Sequence, residues 1–230
     1  MGSEMCIRDR LNDFYNLLDE KQVYFFPSSY KRSAAYGAED AQGVVQRTTA
    51  MNAVRGFTKG YLVVCTYPEA LAERVVDAAT LQRDTIAVKL GDKISIAVLE
   101  DALADANFTR VDFVYEPGQY SVRGGIVDVF SYSESKPYRI DFFGDEVDSI
   151  RRFNISSQLS ADKLDRVEIV PNLNAGEAPR VSFVQFAGSS ATCWFYDADY
   201  VLRRVNDLRR KVLADMEEPG QIDRLLTSRN

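Results

Sequence analysis

The sequence predicts a mixed fold, in which an α/β layer is interrupted by a smaller α+β module. Helix and strand patterns alternate in the first third of the chain and return near its end, which is typical of a sheet covered by helices. Between them, four strand-like stretches follow one another with short turns, which favours antiparallel neighbours. The predicted parts are 11–71 for the start of the α/β layer, 72–158 for the module and 159–230 for the return to the layer. Residues 1–10, MGSEMCIRDR, have no clear period and are predicted to be non-native or disordered.

The composition is that of a globular protein and excludes several functions. Of the 230 residues, 46% are hydrophobic and 27% are charged. The net charge of −6 argues against a protein that binds nucleic acid through overall basic charge, while leaving room for a local basic patch. The absence of histidine excludes Ser-His-Asp and Cys-His catalysis, and zinc sites built on imidazole.

The sequence indicates a cytoplasmic protein with no membrane partner. No run of about 18 apolar residues is present, and no secretory pattern opens the chain. The three cysteines, Cys6, Cys65 and Cys193, are far apart and form no CxxC pair, which fits a reducing compartment.

The first α/β part is predicted to contain a helix, a strand, a helix, a strand and a helix. Their predicted ranges are from residue 11, then 23–26, 39–55 with Gly56 as its cap, 61–67 and 68–76. The run YLVVCTY at 61–67 is continuously apolar, as a strand buried on both faces would be. Pro68 suits the first turn of a helix.

The module is predicted to begin with strand 84–90 and a turn at Gly91. Ser95 then caps a helix that presents Ile96, Leu99 and Leu103 on one face. Four strands are predicted to follow, at 110–115, 119–130, 138–143 and 147–153.

The return to the α/β layer is predicted to contain a strand at 167–170 and a last buried strand at 192–197, TCWFYD. Asp197 is predicted to cap a final helix over 198–216, with Leu202 among its inward residues. Core packing is favoured over base stacking for the aromatic residues of the layer, because their neighbours are apolar. These aromatic residues are Tyr24, Phe25, Phe26, Trp194, Phe195 and Tyr196.

No site for a nucleoside triphosphate is predicted in this chain. The strand before Asp145 and Glu146 superficially resembles the magnesium-holding strand end of a nucleotide hydrolase, but Gly144 and Asp145 also make a good two-residue hairpin turn. No GxxxxGK[ST] occurs, so nothing would hold the phosphates, and we expect neither a cofactor nor a catalytic residue here.

Charged residues of the module suggest an interface instead. Asp128 is predicted to lie opposite Arg139 across a hairpin, which favours a structural ion pair over acid–base chemistry. Gly124 and Gly125 are predicted to form a bulge that turns Arg123 outward. Arginine and aromatic residues are enriched at interface hot spots, so Arg110, Arg123 and Phe130 are docking candidates; plain surface charge is the alternative.

One block of the module resembles a known family. The stretch RVDFVYEPGQYSVRGGIVDVFSYSESKPYRIDFFGDEVDSIRRF, residues 110–153, is similar to a block shared by transcription-repair coupling factors and the excision-repair protein UvrB. The matching positions include the R-x-D, V-R-G, D-x-F and D-E elements of that block. They are Arg110, Asp112, Gly118, Tyr120, Val122, Arg123, Gly124, Asp128, Phe130, Arg139, Phe142, Asp145 and Glu146.

The resemblance is stronger to the coupling factors, because UvrB would carry a long DNA-inserting hairpin before PSS and residues 21–26 leave no room for one. It implies a parent protein that is an ATP-driven DNA translocase, which removes stalled RNA polymerase from DNA and recruits UvrA. ATP and magnesium would belong to the parent's motor. The flanking layer would be a partial, degenerate RecA-like sheet, and the module would resemble domain 2 of UvrB.

The resemblance also implies roles for single residues. Arg110, Arg123 and Phe130 would contact UvrA, and Ser121 stands where UvrB tends to carry a further arginine. Structural support would come from Gly124, Gly125, Asp128 and Arg139. Two alternatives stay open: a fragment of UvrB or a related helicase that helps bind ATP and damaged DNA, and a scaffold that only holds its own motor inactive.

Overall fold

The computed structural model describes residues 3–19, 22–29, 40–174 and 178–215. Its helices, in chain order, are α1 (Ser3–Leu17), α2 (Ala41–Gly56), α3 (Pro68–Ala72), α4 (Ala78–Asp84), α5 (Ile96–Asp105), α6 (Phe183–Ala187) and α7 (Ala198–Asp215). Its strands are β1 (Val23–Phe26), β2 (Val63–Thr66), β3 (Val75–Val76), β4 (Ile86–Lys89), β5 (Thr109–Arg110), β6 (Gln119–Arg123), β7 (Ile126–Val129), β8 (Tyr138–Phe143), β9 (Glu146–Phe153), β10 (Ser160–Leu164), β11 (Arg166–Ile169) and β12 (Arg180–Val181). None of the described helices is long and apolar enough to cross a bilayer.

The chain divides into two compact units. The first comprises the described residues of Met1–Thr80 and Gly176–Asn230, and the second comprises Leu81–Ala175. The first contains a parallel strand pair, and the second a sheet with both parallel and antiparallel pairs. The predicted mixture of α/β and α+β structure is confirmed at this level.

The first unit is built on β1 and β2, which pair in parallel from Val23 opposite Val63 to Phe26 opposite Thr66. Phe25 and Phe26 are buried, so core packing of these two rings is confirmed. Helix α1 begins at Ser3, so the residues from Ser3 to Arg10, expected to lack structure, are helical.

Strand β3 replaces the second half of a predicted helix. The predicted helix 68–76 ends at Ala72, where Glu73 adopts an extended backbone. Val75 and Val76 then pair with Val181 and Arg180 of β12. Both valines are buried, and β-branched residues pack well on a sheet, which explains why the helix stops.

The end of the first unit differs from its prediction. Residues 192–197 were predicted to form a buried strand, but they contain no regular secondary structure, and Trp194 is 91% exposed and Tyr196 fully exposed. The prediction of core packing is therefore wrong for these two rings.

Helix α7 follows as predicted, with Asp197 Oδ1 accepting a hydrogen bond of 2.8 Å from the Tyr200 backbone N–H. Leu202 is 61% exposed and does not point inward.

The second unit is a six-stranded sheet in the order β10-β9-β8-β7-β6-β5, with a separate antiparallel pair, β4 and β11. Strand β5 runs parallel to β6, and the other neighbours in the large sheet are antiparallel. Ser95 caps α5 as predicted, by accepting from the Val98 N–H. The core of the unit includes Leu99 and Leu103 of α5.

The limits of the second unit, Leu81 and Ala175, differ from the 72–158 predicted for the module. The later end has a clear cause. Strand β11 pairs residue by residue with β4, from Arg166 opposite Lys89 to Ile169 opposite Ile86. The side chains of Val167 and Ile169 complete the core around Val88, so this segment packs with the module.

The predicted strand 119–130 is in fact a hairpin. Strands β6 and β7 pair antiparallel, with Arg123 opposite Ile126, so Gly124 and Gly125 are a two-residue turn and not a bulge. Gly124 has φ +59°, the left-handed conformation that such turns require. The predicted strand 110–115 is wrong beyond its first residue, because β5 ends at Arg110. The turn at Gly144 and Asp145 is confirmed.

Gly118 is a glycine that we expect to tolerate substitution poorly. It has φ +87°, and a Cβ atom there would lie 2.6 Å from the hydroxyl oxygen of Tyr132. Gly118→Ala is expected to lower the free energy of unfolding by about 2 kcal/mol, because left-handed strain adds to overpacking. Gly91→Ala is the matched control, since Gly91 has φ +79° but no described atom within 4 Å of its Cβ position. Urea unfolding should give a loss of about 1 kcal/mol for the control; equal losses would refute the steric argument.

Candidate functional site

The face of the large sheet that points away from its core carries a row of polar side chains. The strand register places Ser121, Asp128, Arg139 and Arg151 side by side on β6, β7, β8 and β9. The predicted opposition of Asp128 and Arg139 is confirmed. Because side chains alternate along a strand, Arg123 lies on the same face as Ser121, two residues along β6.

Asp128 is the centre of an ion network. Its side chain is 2% exposed and accepts from Arg139 Nε at 2.7 Å and Arg139 Nη2 at 2.8 Å. Arg123 Nη2 donates to Asp128 Oδ2 at 2.5 Å. The hydrogen bond with Asp128 raises the pKa of Arg139 above its ordinary value. Hydrogen bonds between a carboxylate and guanidinium groups are charge-assisted and stronger than those between neutral groups, so this network links β6, β7 and β8.

Arg123 is held against its own module. Its Nη1 donates to the Ser121 hydroxyl at 2.6 Å and to the Asp112 carbonyl at 3.0 Å, while Nη2 reaches Asp128. The guanidinium also lies 5.1 Å from the centre of the Phe113 ring. The side chain is 35% exposed, so part of the guanidinium is accessible to solvent, and its hydrogen bonds fix its orientation. Ser121 is itself buried and helps to fix Arg123.

The other two docking candidates differ in exposure. Arg110, on the edge strand β5, is 60% exposed and pairs with Glu100 at 2.7 Å. Phe130 is only 6% exposed. The prediction that Phe130 offers its ring to a partner therefore needs correction, because in this conformation the ring is packed inside the protein.

A groove at the β5 edge brings the two arginines together. It has a volume of about 370 Å³ and is lined by Arg110, Val111, Asp112, Phe113, Val122 and Arg123. The aromatic ring in this groove is Phe113, which is 51% exposed. Sequence reasoning missed Phe113, because the stretch 110–115 reads as a strand and gives no sign of which residue leaves the sheet.

Gly125, in the β6–β7 turn, lies close to strand β8. The Gly125 carbonyl accepts a hydrogen bond of 2.8 Å from the Phe142 N–H. A Cβ atom at Gly125 would lie 3.0 Å from the Phe142 carbonyl oxygen, so a residue without a side chain suits the close approach of β8.

The sequence of the unit that contains this sheet is similar to a known class of interaction module. Residues 86–174 match the family described as the UvrB interaction domain, and the matched range lies inside the second unit.

The similarity to transcription-repair coupling factors is confirmed over a longer stretch. The chain is 28% identical over 162 residues to the transcription-repair-coupling factor of Haemophilus influenzae, covering 70% of this chain and 14% of that protein. It is 29% identical over 161 residues to that of Bacillus subtilis, covering 70% of this chain and 13% of the relative. The Escherichia coli protein is 34% identical over 113 residues, covering 49% and 10%. The chain thus spans a small part of the length of these relatives.

Proposed function

We propose that this chain is the UvrA-recruiting, non-catalytic module of a transcription-repair coupling factor. The observation that carries the proposal is that the family match and the groove lie in the same unit. The match to the UvrB interaction domain covers the same unit that holds the groove between Arg110 and Arg123. The names of the similar proteins point to the same process, the coupling of transcription to repair.

The parent protein would be an ATP-dependent DNA translocase. It would remove stalled RNA polymerase from double-stranded DNA and start transcription-coupled excision repair in the cytoplasm. ATP and magnesium would be bound by its motor and not by these residues. The first unit would be a partial, degenerate RecA-like layer, which the parallel pairing of β1 and β2 supports.

Docking would begin with the exposed charge of Arg110. An exposed guanidinium attracts an acidic surface over several ångströms and accelerates association, and salt weakens this effect. The ion pair with Glu100 leaves Arg110 60% exposed, so a partner carboxylate can share it. If the partner carboxylate accepted two hydrogen bonds from the Arg110 guanidinium, this bidentate contact would fix the orientation of the partner as well as add affinity.

A scaffold that holds the parent's motor inactive would use the same surface, and UvrB would use the same kind of domain. The similarity to coupling factors over 70% of the chain supports the coupling-factor assignment over the UvrB one. Binding of UvrA separates recruitment from pure scaffolding.

The test is calorimetric titration of purified UvrA into the whole 230-residue chain at two salt concentrations. Arg110→Ala is expected to raise the Kd about fivefold or more, as for a hot-spot residue worth more than about 1 kcal/mol. Arg83→Ala is the matched control, since Arg83 is 68% exposed and paired with Asp84 at 2.7 Å. It should change the Kd less than about twofold. A folded wild-type chain that does not bind UvrA would refute recruitment and leave the scaffold role.

A further inference from the structure

We propose that Phe113 is the aromatic anchor of this docking surface and that Arg123 is its positioning residue. The inference rests on the proposed function and specifies the partner's complementary site: an apolar recess rimmed by a carboxylate. The ring of Phe113 would enter the recess, and Arg110 would meet the carboxylate. Phe130 cannot supply the ring, because its side chain is buried.

Phe113 has the position that an anchor needs. It lies in the groove between Arg110 and Arg123, and 51% of its surface is exposed. Aromatic and arginine side chains dominate interface hot spots, and they contribute most when they sit together in a recess that excludes water. Arg110 stays 60% exposed beside the ring despite its pair with Glu100, and an exposed guanidinium favours an acidic rim on the partner.

The segment that carries Phe113 is already ordered in the free module. On one side of Phe113, the Asp112 carbonyl accepts from Arg123 at 3.0 Å. On the other side, Val114 is 2% exposed and anchors the chain in the interior.

The continuation of the segment is fixed too. The Gln119 side-chain oxygen accepts from the N–H groups of Tyr115 and Glu116, at 2.9 and 3.2 Å. Binding costs less when a loop is held in its bound shape beforehand, so Phe113 is a preorganised anchor.

Arg123 contributes to docking by holding Phe113 in place more than by attracting the charge of the partner. Arg123 donates hydrogen bonds to three groups of its own module, on Ser121, Asp112 and Asp128, and its guanidinium lies over the Phe113 ring. Arg123 therefore holds the segment and supports the ring, while Arg110 supplies the salt-dependent attraction. This division of roles predicts that removal of Arg123 matters little once Phe113 is gone.

Phe143 provides the matched control for an exposed phenylalanine. It ends β8 and is 83% exposed, more than Phe113, but it lies outside the groove and next to the turn that carries Asp145. If exposure of an aromatic ring were enough for docking, Phe143 would matter at least as much as Phe113.

The experiment measures the Kd and dissociation rate of purified UvrA on the whole chain by surface plasmon resonance, at two salt concentrations. Phe113→Ala is expected to raise the Kd at least tenfold, mainly through faster dissociation, and Phe113→Leu should recover part of the loss. Phe143→Ala should stay within twofold. Arg123→Ala should weaken binding in the wild-type background but not in the Phe113→Ala background, and Arg110→Ala should reduce the salt dependence more than Arg123→Ala does.

The outcomes separate the two proposals. Wild-type binding together with an unchanged Kd for Phe113→Ala would overturn the anchor and leave recruitment intact. Equal losses for Phe113→Ala and Phe143→Ala would also overturn it, and so would additive losses for Phe113→Ala and Arg123→Ala. Absence of wild-type binding would remove the proposed function itself. Thermal unfolding of each variant, with its midpoint close to that of the wild-type chain, confirms that the comparison is made between folded proteins.

Discussion

Replacing Asp128 with alanine is expected to lower the free energy of unfolding of the second unit by about 3 kcal/mol. The buried carboxylate accepts three hydrogen bonds, two from Arg139 and one from Arg123. Its loss leaves two guanidinium groups that are still partly shielded from water. This loss of stability is at the lower end of the range for breaking a buried ion pair. Arg139 is 15% and Arg123 35% exposed, so water can reach both guanidinium groups.

Urea unfolding followed by far-UV circular dichroism measures this loss. Asp148→Ala is the matched control, since Asp148 lies on β9 of the same sheet and is exposed. The control should change the free energy of unfolding by no more than about 0.5 kcal/mol. If Asp128→Ala and Asp148→Ala had equal effects, the ion network would not stabilise the sheet.

Sequence alone predicted those parts of the second unit that local chemistry decides. The Ser95 cap and the turn at Gly144 depend on residues next to each other in the chain, so they can be identified without knowing the fold. The opposition of Asp128 and Arg139 follows once the connecting loop is recognised, because antiparallel register then fixes which residues face each other.

The composition of the proposed docking surface depends on contacts that the sequence does not show. Two glycines between apolar residues are compatible with a bulge and with a hairpin turn. The structure shows a turn, because Arg123 pairs with Ile126. The resemblance placed Phe130 at a docking position, but similarity of residues gives no side-chain exposure, and the ring is buried. Phe113 became a candidate only through the groove that surrounds it.

The first unit shows a related limit. An apolar run indicates a segment able to form a buried strand, but it does not specify the neighbour that would cover it. Residues 23–26 have such a neighbour in β2, whereas Trp194 is 91% exposed. The helix predicted through Val76 likewise failed because its partner strand β12 lies about a hundred residues further along the chain.

Glu73 and Arg47 form a second buried ion pair, in the first unit. Arg47 is 3% exposed, and its Nη1 donates to the carbonyls of Pro27 at 2.8 Å and Ala70 at 3.1 Å. The Arg47 and Glu73 side chains approach to 3.5 Å. Glu73 also accepts hydrogen bonds from the hydroxyl of Ser29 at 2.6 Å and from that of Ser28. The pair thus ties α2, α3 and the end of β1 together.

Glu73→Ala is expected to lower the free energy of unfolding of the first unit by about 4 kcal/mol, because it removes a buried carboxylate that pairs with the buried Arg47 guanidinium. Hydrogen exchange across α2 and α3, combined with urea unfolding, assigns the loss to this unit. Glu69→Ala is the graded comparison: Glu69 pairs with Arg204 at 3.0 Å, but their side chains are 20% and 37% exposed. We expect about 1 kcal/mol for that pair. A smaller loss for Glu73→Ala than for Glu69→Ala would contradict the assignment.

A double variant, Arg47→Met with Glu73→Leu, tests whether the two side chains stabilise the unit through their ion pair or through their hydrogen bonds to buried backbone groups. If the two side chains only compensated each other's charge, apolar replacements of similar size would restore most of the stability. Here Arg47 donates to the carbonyls of Pro27 and Ala70, and Glu73 accepts from the backbone N–H of Ser29. Those groups would stay buried without these partners, so we expect the double variant to unfold at nearly the same urea concentration as Glu73→Ala. Recovery to the wild-type midpoint would show that the network matters only as an ion pair.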